Sequence, residues 1–481
     1  MTVGLQHLLA NSAVPDIALS DMTLDSRDVG VGDLFVALPG RSRDGREFIA
    51  SALEQGAAAV LTEETPASLR EDPRVIAMPQ LSARVGELAD RFYGSPSKNL
   101  KLMAVTGTNG KTSIVELVSQ MLRLMGYRAG SIGTLGMRIV ANPDEARNTT
   151  PDCISLHRQL AKWRDEAIEW VAMEASSHAL DQGRLDGLDI DAAVFTNLSR
   201  DHLDYHASME AYCAAKLRLF REFDPQVSIF NADEPLLKPH RDAWGDAGLG
   251  ISCEGAPADV QVSVTGVEPL MLQLKTPWGA RQIKAVLAGR FNAFNLSVAV
   301  TLLAALGLPF DNVVAAAEQV GPVLGRLQRV EFESDITVFV DYAHTPDALE
   351  RALSALSEFG ATGAIWVIFG CGGDRARGKR AEMGTVAAAI ADRLVVTSDN
   401  PRSETPAAII DDILTGCRHV DPVVEADRAA AIALAVSQAG SGDVILIAGK
   451  GHETYQEIGG VRQPFCDTNH ALKNLALRRA A

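Results

Sequence analysis

Thr106-Gly107-Thr108-Asn109-Gly110-Lys111-Thr112 places two glycines, one lysine and three threonine hydroxyls within seven residues. The run follows an apolar stretch, 102–105, and opens an amphipathic one, 114–125. A strand feeding a Gly-rich turn feeding a helix aims backbone N–H groups and a helix N-terminus at one point, which suits a phosphate. Lys111 adds a charge for the β- and γ-phosphates, and Thr112 offers a hydroxyl to Mg²⁺. The common form of this loop has glycine at position 105, where this chain has Val105. The bland alternative is a strand–helix turn that holds no ligand. A Lys-Thr pair at a helix start has no packing purpose, so the spacing predicts an enzyme that uses ATP.

Other reactive residues stand at the ends of apolar runs. Met173-Glu174-Ala175-Ser176-Ser177-His178 puts Glu174 at a strand end. Thr196-Asn197-Leu198-Ser199-Arg200-Asp201-His202-Leu203-Asp204-Tyr205-His206 puts His202 after another. Glu174 could be a solvated cap and His202 an orienting partner; beside a phosphate loop both are candidate metal and phosphate groups. Lys216, in the helical run 209–220, reads from its type alone as a solvated lysine. Four later runs, 336–340, 364–369, 393–397 and 444–447, are each followed by polar or Gly-rich residues. These are Asp341 to His344, Gly370 to Arg375, Ser398 to Arg402 and Gly449 to Glu453. Ligands of open α/β sheets bind beyond the carboxyl ends of the strands, so the four motifs predict one shared site.

The elements that must carry these residues alternate strand and helix, which implies mostly parallel sheets. A length of 481 residues fits about three domains. We place them at 1–98, a small α/β unit with strands at 33–38 and 57–61 and a helix at 48–56; 99–329; and 330–481. Residues 93–99 read as the first linker and 321–328 as the next boundary. The middle domain is expected to hold strands at 102–105, 170–173, 192–196 and 227–231, an antiparallel insertion at 260–286 and a helix at 294–306. A net charge of −16 has the wrong sign for nucleic acid or anionic membrane. Aromatic content of 5% argues against stacking platforms for single strands. Six cysteines without a C-x-x-C pair read as free thiols. With no basic leader and no apolar run of membrane length, the chain reads as cytoplasmic.

Together the loop 106–112, the run 195–206 and Asp341-Tyr342-Ala343-His344-Thr345-Pro346 resemble the Mur ligase family, the ATP-dependent amide-forming enzymes of peptidoglycan precursor synthesis. The resemblance spans the chain, including Leu24-Asp25-Ser26-Arg27. It implies an α/β fold of three domains, with a UDP-sugar domain, a central P-loop ATPase domain and a Rossmann-like C-terminal domain, in a monomer. It implies that Gly107, Thr108, Asn109, Gly110, Lys111, Thr112, Asn295, Arg326, Asp341 and His344 hold the nucleotide. Thr112, Glu174, His202 and Lys216 match the metal positions, with Lys216 as a carbamate; here the resemblance overrides the reading of Lys216 from its type. Leu24, Ser26, Arg41, Ser42 and Arg43 match the uridine diphosphate end. Asn148, Thr149, Thr150, Ser176, Gln182 and Arg184 match the muramoyl-dipeptide end.

Asp399-Asn400-Pro401-Arg402 resembles the family's meso-2,6-diaminopimelate type, and L-lysine-adding relatives lack that arginine. Diaminopimelate differs from lysine by a distal carboxylate, which Arg402 can grip in a two-pronged fork. Arg375, Gly449 and Glu453 match the remaining amino-acid contacts. The implied reaction joins diaminopimelate to UDP-N-acetylmuramoyl-L-alanyl-D-glutamate. Three alternatives stay open: the lysine-adding relative, a folylpolyglutamate synthase-type ligase, and a nucleotide-gated scaffold with a dead ATPase.

Overall fold

The structure is a computed structural model and describes residues 2–40, 43–139, 149–245, 248–359, 363–375, 377–418 and 420–480. The chain forms two compact units. The first comprises Met1–Gly107, Gly126–Phe195 and Cys213–Ser228; the second comprises Thr108–Met125, Thr196–Tyr212 and Ile229–Ala481.

In the first unit, strands Met22–Thr23, Leu34–Ala37, Ala59–Thr62 and Val75–Ala77 form a parallel sheet in chain order. The two central strands are apolar at almost every position because both faces are covered. Leu34, Val36, Ala59 and Leu61 face one core, shared with helix Leu81–Phe92. Phe35, Ala37 and Val60 face the other, shared with Ile49 and Ala52 of helix Ile49–Glu54. Successive side chains thus alternate between two cores, as the strand's period of two demands.

The same unit holds the strands in the order Ala192–Phe195, Lys101–Thr106, Trp170–Glu174, Ala129–Gly133 and Gly136–Arg138. The first four are parallel and the last turns back as a hairpin. Glu174 pairs with Val105 and Phe195 with Thr106, so the glutamate and the start of the phosphate loop leave the sheet at one level. The stretch expected as a linker is packed instead: Pro96–Asn99 is a 3₁₀ turn, and the buried Ser97 accepts from the Asp189 N–H. Its Gly, Ser and Pro residues make a tight corner rather than a free tether.

In the second unit, helix Lys111–Leu124 packs on helices Arg290–Ala305 and Phe310–Ala317. Strands Val260–Val267, Leu270–Thr276 and Gly279–Ala285 make the expected antiparallel meander. The last sheet runs in the order Gln328–Arg329, Thr337–Asp341, Val444–Ala448, Ile365–Phe369, Arg393–Val396 and Val423–Val424. All its pairings are parallel except at the Gln328–Arg329 edge. Helices Pro346–Ser357, Gly378–Ile390 and Pro406–Leu414 supply Leu349, Met383 and Ile409 to the core on one face. Helices Arg428–Gln438 and Asp467–Ala480 supply Ile432 and Leu475 on the other. Strand Val444–Ala448, late in the chain, inserts between two earlier ones, so the carboxyl ends of all four motif-bearing strands lie side by side. The switch in strand order is where such a sheet opens a crevice.

Candidate active site

In the first unit the residues gather around Glu174. Its carboxylate is 1% exposed and accepts from the Thr134 N–H at 2.7 Å and the Thr134 hydroxyl at 3.3 Å. A Cβ on Gly133 would stand 2.3 Å from Glu174 Oε1, so the strand end must be glycine for the carboxylate to sit there. Thr150 donates to the Glu174 carbonyl at 2.7 Å and lies 3.5 Å from the Ser176 hydroxyl. The Thr149 hydroxyl lies 3.3 Å from the Thr134 hydroxyl. Arg184 donates to the Thr150 carbonyl at 2.8 Å and to Gln182 at 2.7 Å. Five residues expected at the muramoyl-dipeptide end therefore belong to one hydrogen-bonded network that includes Glu174. Leu24 and Ser26 follow strand Met22–Thr23, and Arg43 lies in the loop after Leu34–Ala37. Arg41, Ser42 and Asn148 lie outside the described residues.

Lys216 is 0% exposed, on helix Met209–Arg221. Its Nζ donates to the Gly107 carbonyl at 2.7 Å. A solvated lysine is excluded: the group is inside, against the first glycine of the phosphate loop.

In the second unit the rest of that loop is braced. The Asn109 N–H donates to the Asn197 side chain at 2.9 Å, and its carbonyl accepts from Thr196 at 2.6 Å and Asn197 at 3.1 Å. The Asn109 amide reaches Asp347 at 2.5 Å, and Ser199 donates to the same oxygen at 3.1 Å. Gly110 has φ +89°, and a Cβ there would meet Asn295 Oδ1 at 2.8 Å, so Asn295 closes against the loop only because it is glycine. Arg326 donates to the Thr112 hydroxyl at 2.8 Å and stacks 4.7 Å over the Tyr342 ring. Lys111 folds back onto the Thr108 carbonyl at 2.8 Å. Burial holds the Asp341 carboxyl above the usual carboxylate range although it accepts from the Leu327 N–H at 2.5 Å. His202 has φ +54° and sits 3.4 Å from Asp201. Burial pushes the Asp201 carboxyl up, but His202, His344 and Lys379 outweigh it and hold it below the ordinary value.

The amino-acid motifs sit on neighbouring strand ends. A Cβ on Gly449 would stand 2.3 Å from Asp399 Oδ2. Asn400 donates to Glu453 at 2.8 Å. Lys450, 0% exposed, donates to that same Glu453 oxygen at 2.7 Å and to Asn400 at 3.0 Å. Glu453 is therefore a compensated anion whose second oxygen, Oε1, is the one left for a ligand. Arg402, at φ +54°, donates to the Gly373 carbonyl at 2.6 Å. A recess of about 570 Å³ beside it is lined by Asp204, Asp374, Arg375, Arg377, Ser403 and Glu404. Sequence reasoning missed Thr134, Asn197, Asp347 and Lys450. Asn197 lay inside a motif already singled out, and its two-headed amide was the available signal. Lys450 likewise lay inside the Gly449 to Glu453 motif, whereas Thr134 and Asp347 gave no signal, because each acts through a contact made by folding.

Family models match most of the chain. The Mur ligase family catalytic domain matches residues 19–93, the Mur ligase middle domain 105–303, and the Mur ligase glutamate ligase domain 325–451. The UDP-N-acetylmuramoyl-L-alanyl-D-glutamate--2,6-diaminopimelate ligase of Pseudomonas putida is 45% identical, with 99% of this chain and 98% of that protein aligned. The Haemophilus influenzae ligase of the same name is 43% identical, with 95% of this chain and 96% of that protein aligned. A solved structure of a ligase of that name superposes with a TM-score of 0.72 at 34% identity, covering 100% of both chains.

Proposed function

Because the chain belongs to the Mur ligase family, we propose that it uses ATP to join meso-2,6-diaminopimelate to UDP-N-acetylmuramoyl-L-alanyl-D-glutamate. The observation that supports this most is the grouping of Asp399 to Arg402, Gly449 and Glu453 along the same carboxyl edge of one sheet, in a chain 45% identical to a ligase of that name. We read the domains as 1–98 for the UDP sugar, 99–329 for ATP and 330–481 for the amino acid. The setting is the cytoplasm and the form a monomer. Among the described residues no helix is long and apolar enough to cross a membrane.

The reaction has two displacements. The D-glutamate γ-carboxylate attacks the γ-phosphorus, the bond to ADP breaks, and an acyl phosphate forms. The diaminopimelate amine then attacks the acyl carbon, loses a proton, and inorganic phosphate leaves. The first step brings an anion to a triphosphate, so its barrier is set by charge. Lys111 answers part of that charge, and the loop N–H groups, held by Thr196 and Asn197, answer more. Asn295, Arg326, Asp341 and His344 hold the rest of the nucleotide. Arg375, Arg402 and the compensated Glu453 orient the amino acid.

The donors fit magnesium. Glu174 and Thr112 offer hard oxygen ligands, and Mg²⁺ characteristically keeps waters and phosphate oxygens rather than an all-protein cage. Within the first unit a Lys216 carbamate would offer a further oxygen, and within the second His202 is the further candidate. A carbamate keeps one N–H, so the Lys216 bond to the Gly107 carbonyl survives the change while its charge turns from positive to negative. When bound, the metal would neutralise developing charge on the phosphates.

The deciding experiment is amino-acid-dependent ADP release in the presence of UDP-muramoyl dipeptide. Release with diaminopimelate and near-background release with L-lysine is expected. Equal release with lysine overturns the amino-acid assignment, and release that requires a folate instead of the UDP sugar overturns the whole reading.

A further inference from the structure

Two residues of the amino-acid sheet hold left-handed backbone without being glycine: Asp374 and Arg402, both at φ +54°. They lie on the loops after Ile365–Phe369 and Arg393–Val396, which carry Arg375 and Arg402. Such strain persists only where surrounding contacts over-determine it. The contacts here converge on one ion pair, a buried arginine with a half-buried glutamate. Arg380, on helix Gly378–Ile390, is 1% exposed. Its guanidinium meets Glu404 at 2.7 Å and 3.0 Å, one prong to each carboxylate oxygen. Glu404 in turn accepts from the Asp374 N–H at 2.7 Å. The Asp374 side chain accepts from the Ser403 hydroxyl at 2.6 Å and the Ser403 N–H at 3.2 Å. Gly373 donates to the Asn400 carbonyl at 2.9 Å and accepts from Arg402 at 2.6 Å. One loop is thereby stitched to the other on both sides of the two strained residues, and Glu404 also lines the recess.

We propose that Arg380 and Glu404 are positioning residues that set the spacing of Arg375 and Arg402, and so the enzyme's grip on its amino acid. Neither touches the substrate in this account. The pair fixes where two guanidinium groups stand, and a forked carboxylate contact tolerates little error in that spacing. The inference rests on the amino-acid site described under the proposed function, though not on which amino acid fills it.

Arg380 has a second acid partner off these loops, Asp412 on helix Pro406–Leu414, at 2.9 Å from the same nitrogen that meets Glu404 Oε2. This partner separates positioning from plain stabilisation. Steady-state constants for amino acid, ATP and UDP-muramoyl dipeptide would be measured, with thermal midpoints, for the wild type, Glu404→Gln, Arg380→Lys and Asp412→Asn. For Glu404→Gln and Arg380→Lys the expected result is a rise of about tenfold or more in the amino-acid KM. The other two KM values should stay within about twofold, and the ratio of kcat/KM between diaminopimelate and lysine should fall. Asp412→Asn should lower the midpoint and leave the amino-acid KM unchanged. If Arg380→Lys does not fold, Glu404→Gln decides alone. Folded variants with an unchanged amino-acid KM, or an equal rise with Asp412→Asn, overturn the proposal. A wild type that prefers another amino acid overturns the functional reading instead, and the KM comparison is then made with that amino acid.

Discussion

At the scale of single residues, Arg402 is the group we propose for the choice of substrate. Arg402→Ala removes the fork proposed to grip the distal carboxylate, so kcat/KM for diaminopimelate should fall by about 10²-fold, in line with roughly 1–3 kcal/mol for a lost charged partner. The ATP KM should hold, and lysine use need not rise, because the remaining pocket was not shaped for it. An unchanged diaminopimelate-to-lysine ratio would remove Arg402 from the site. Lys216 gives a sharper test. Lys216→Arg keeps a cation but cannot form the carbamate, so turnover should collapse, and full activity in that variant would rule the carbamate out. His157 gives a prediction outside the site. It is buried, with Nδ1 2.9 Å from the Cys153 carbonyl, and burial pulls its pKa below 6.5. The unfolded chain therefore takes up a proton near pH 6.5 that the folded chain refuses. This contribution to stability is whole above that pH and shrinks as pH falls below it. Denaturant titrations at pH 7.5 and 5.5 should show a smaller loss of stability in His157→Gln than in the wild type; equal losses would refute it. The types and order of the site residues were legible because loop chemistry is local. Lys216 was not, since burial is a property of the fold and a lysine on a polar helix carries no mark of it.

Elements were legible where their pattern was strong. Strand Val227–Asn231 falls where its apolar run ends, and the meander follows from alternating residues between turn signals. Strand Ala129–Gly133 was missed because Ala-Gly-Ser-Ile-Gly has little strand propensity and owes its place to neighbours on the sheet. That strand matters, since its last residue makes room for Glu174. Gly133 has an ordinary negative φ, so Gly133→Ala meets no backbone strain and tests space alone. The added methyl should cost roughly 1–3 kcal/mol of stability by overpacking. It should also displace the carboxylate, so kcat should fall by more than the fraction of unfolded protein explains. A variant with lowered thermal midpoint and wild-type kcat would detach Glu174 from the chemistry.

At the scale of the whole molecule, chain order and compactness disagree. The polypeptide passes between its two compact units at 107/108, 125/126, 195/196, 212/213 and 228/229. The second unit depends on helix Lys111–Leu124, where Ile114, Leu117, Val118 and Met121 are fully buried. A fragment comprising 229–481 lacks that helix and should melt without a sharp transition and bind a hydrophobic dye. Supplying 108–125 through a flexible linker should sharpen the melt. A cooperative melt of the bare fragment would refute this. Length and the family resemblance led to an expectation of three domains, but the exchange of segments could not be read, because it is decided by long-range packing that no local pattern records.

The last sheet is different in kind. From Arg375 to Glu453, every residue proposed for the incoming amino acid comes from one uninterrupted stretch, while those proposed for the nucleotide run from Gly107 to His344. Inheritance treats the two unequally. A single crossover between the codons for Asp347 and Arg375 could replace the amino-acid choice as a cassette and leave the ATP machinery in its own genetic background. No one exchange could do the same for the phosphate loop and its scattered supports. Lineages that alter the third residue of their wall peptide thus have a short route to do so, and lineages that alter the energy source do not.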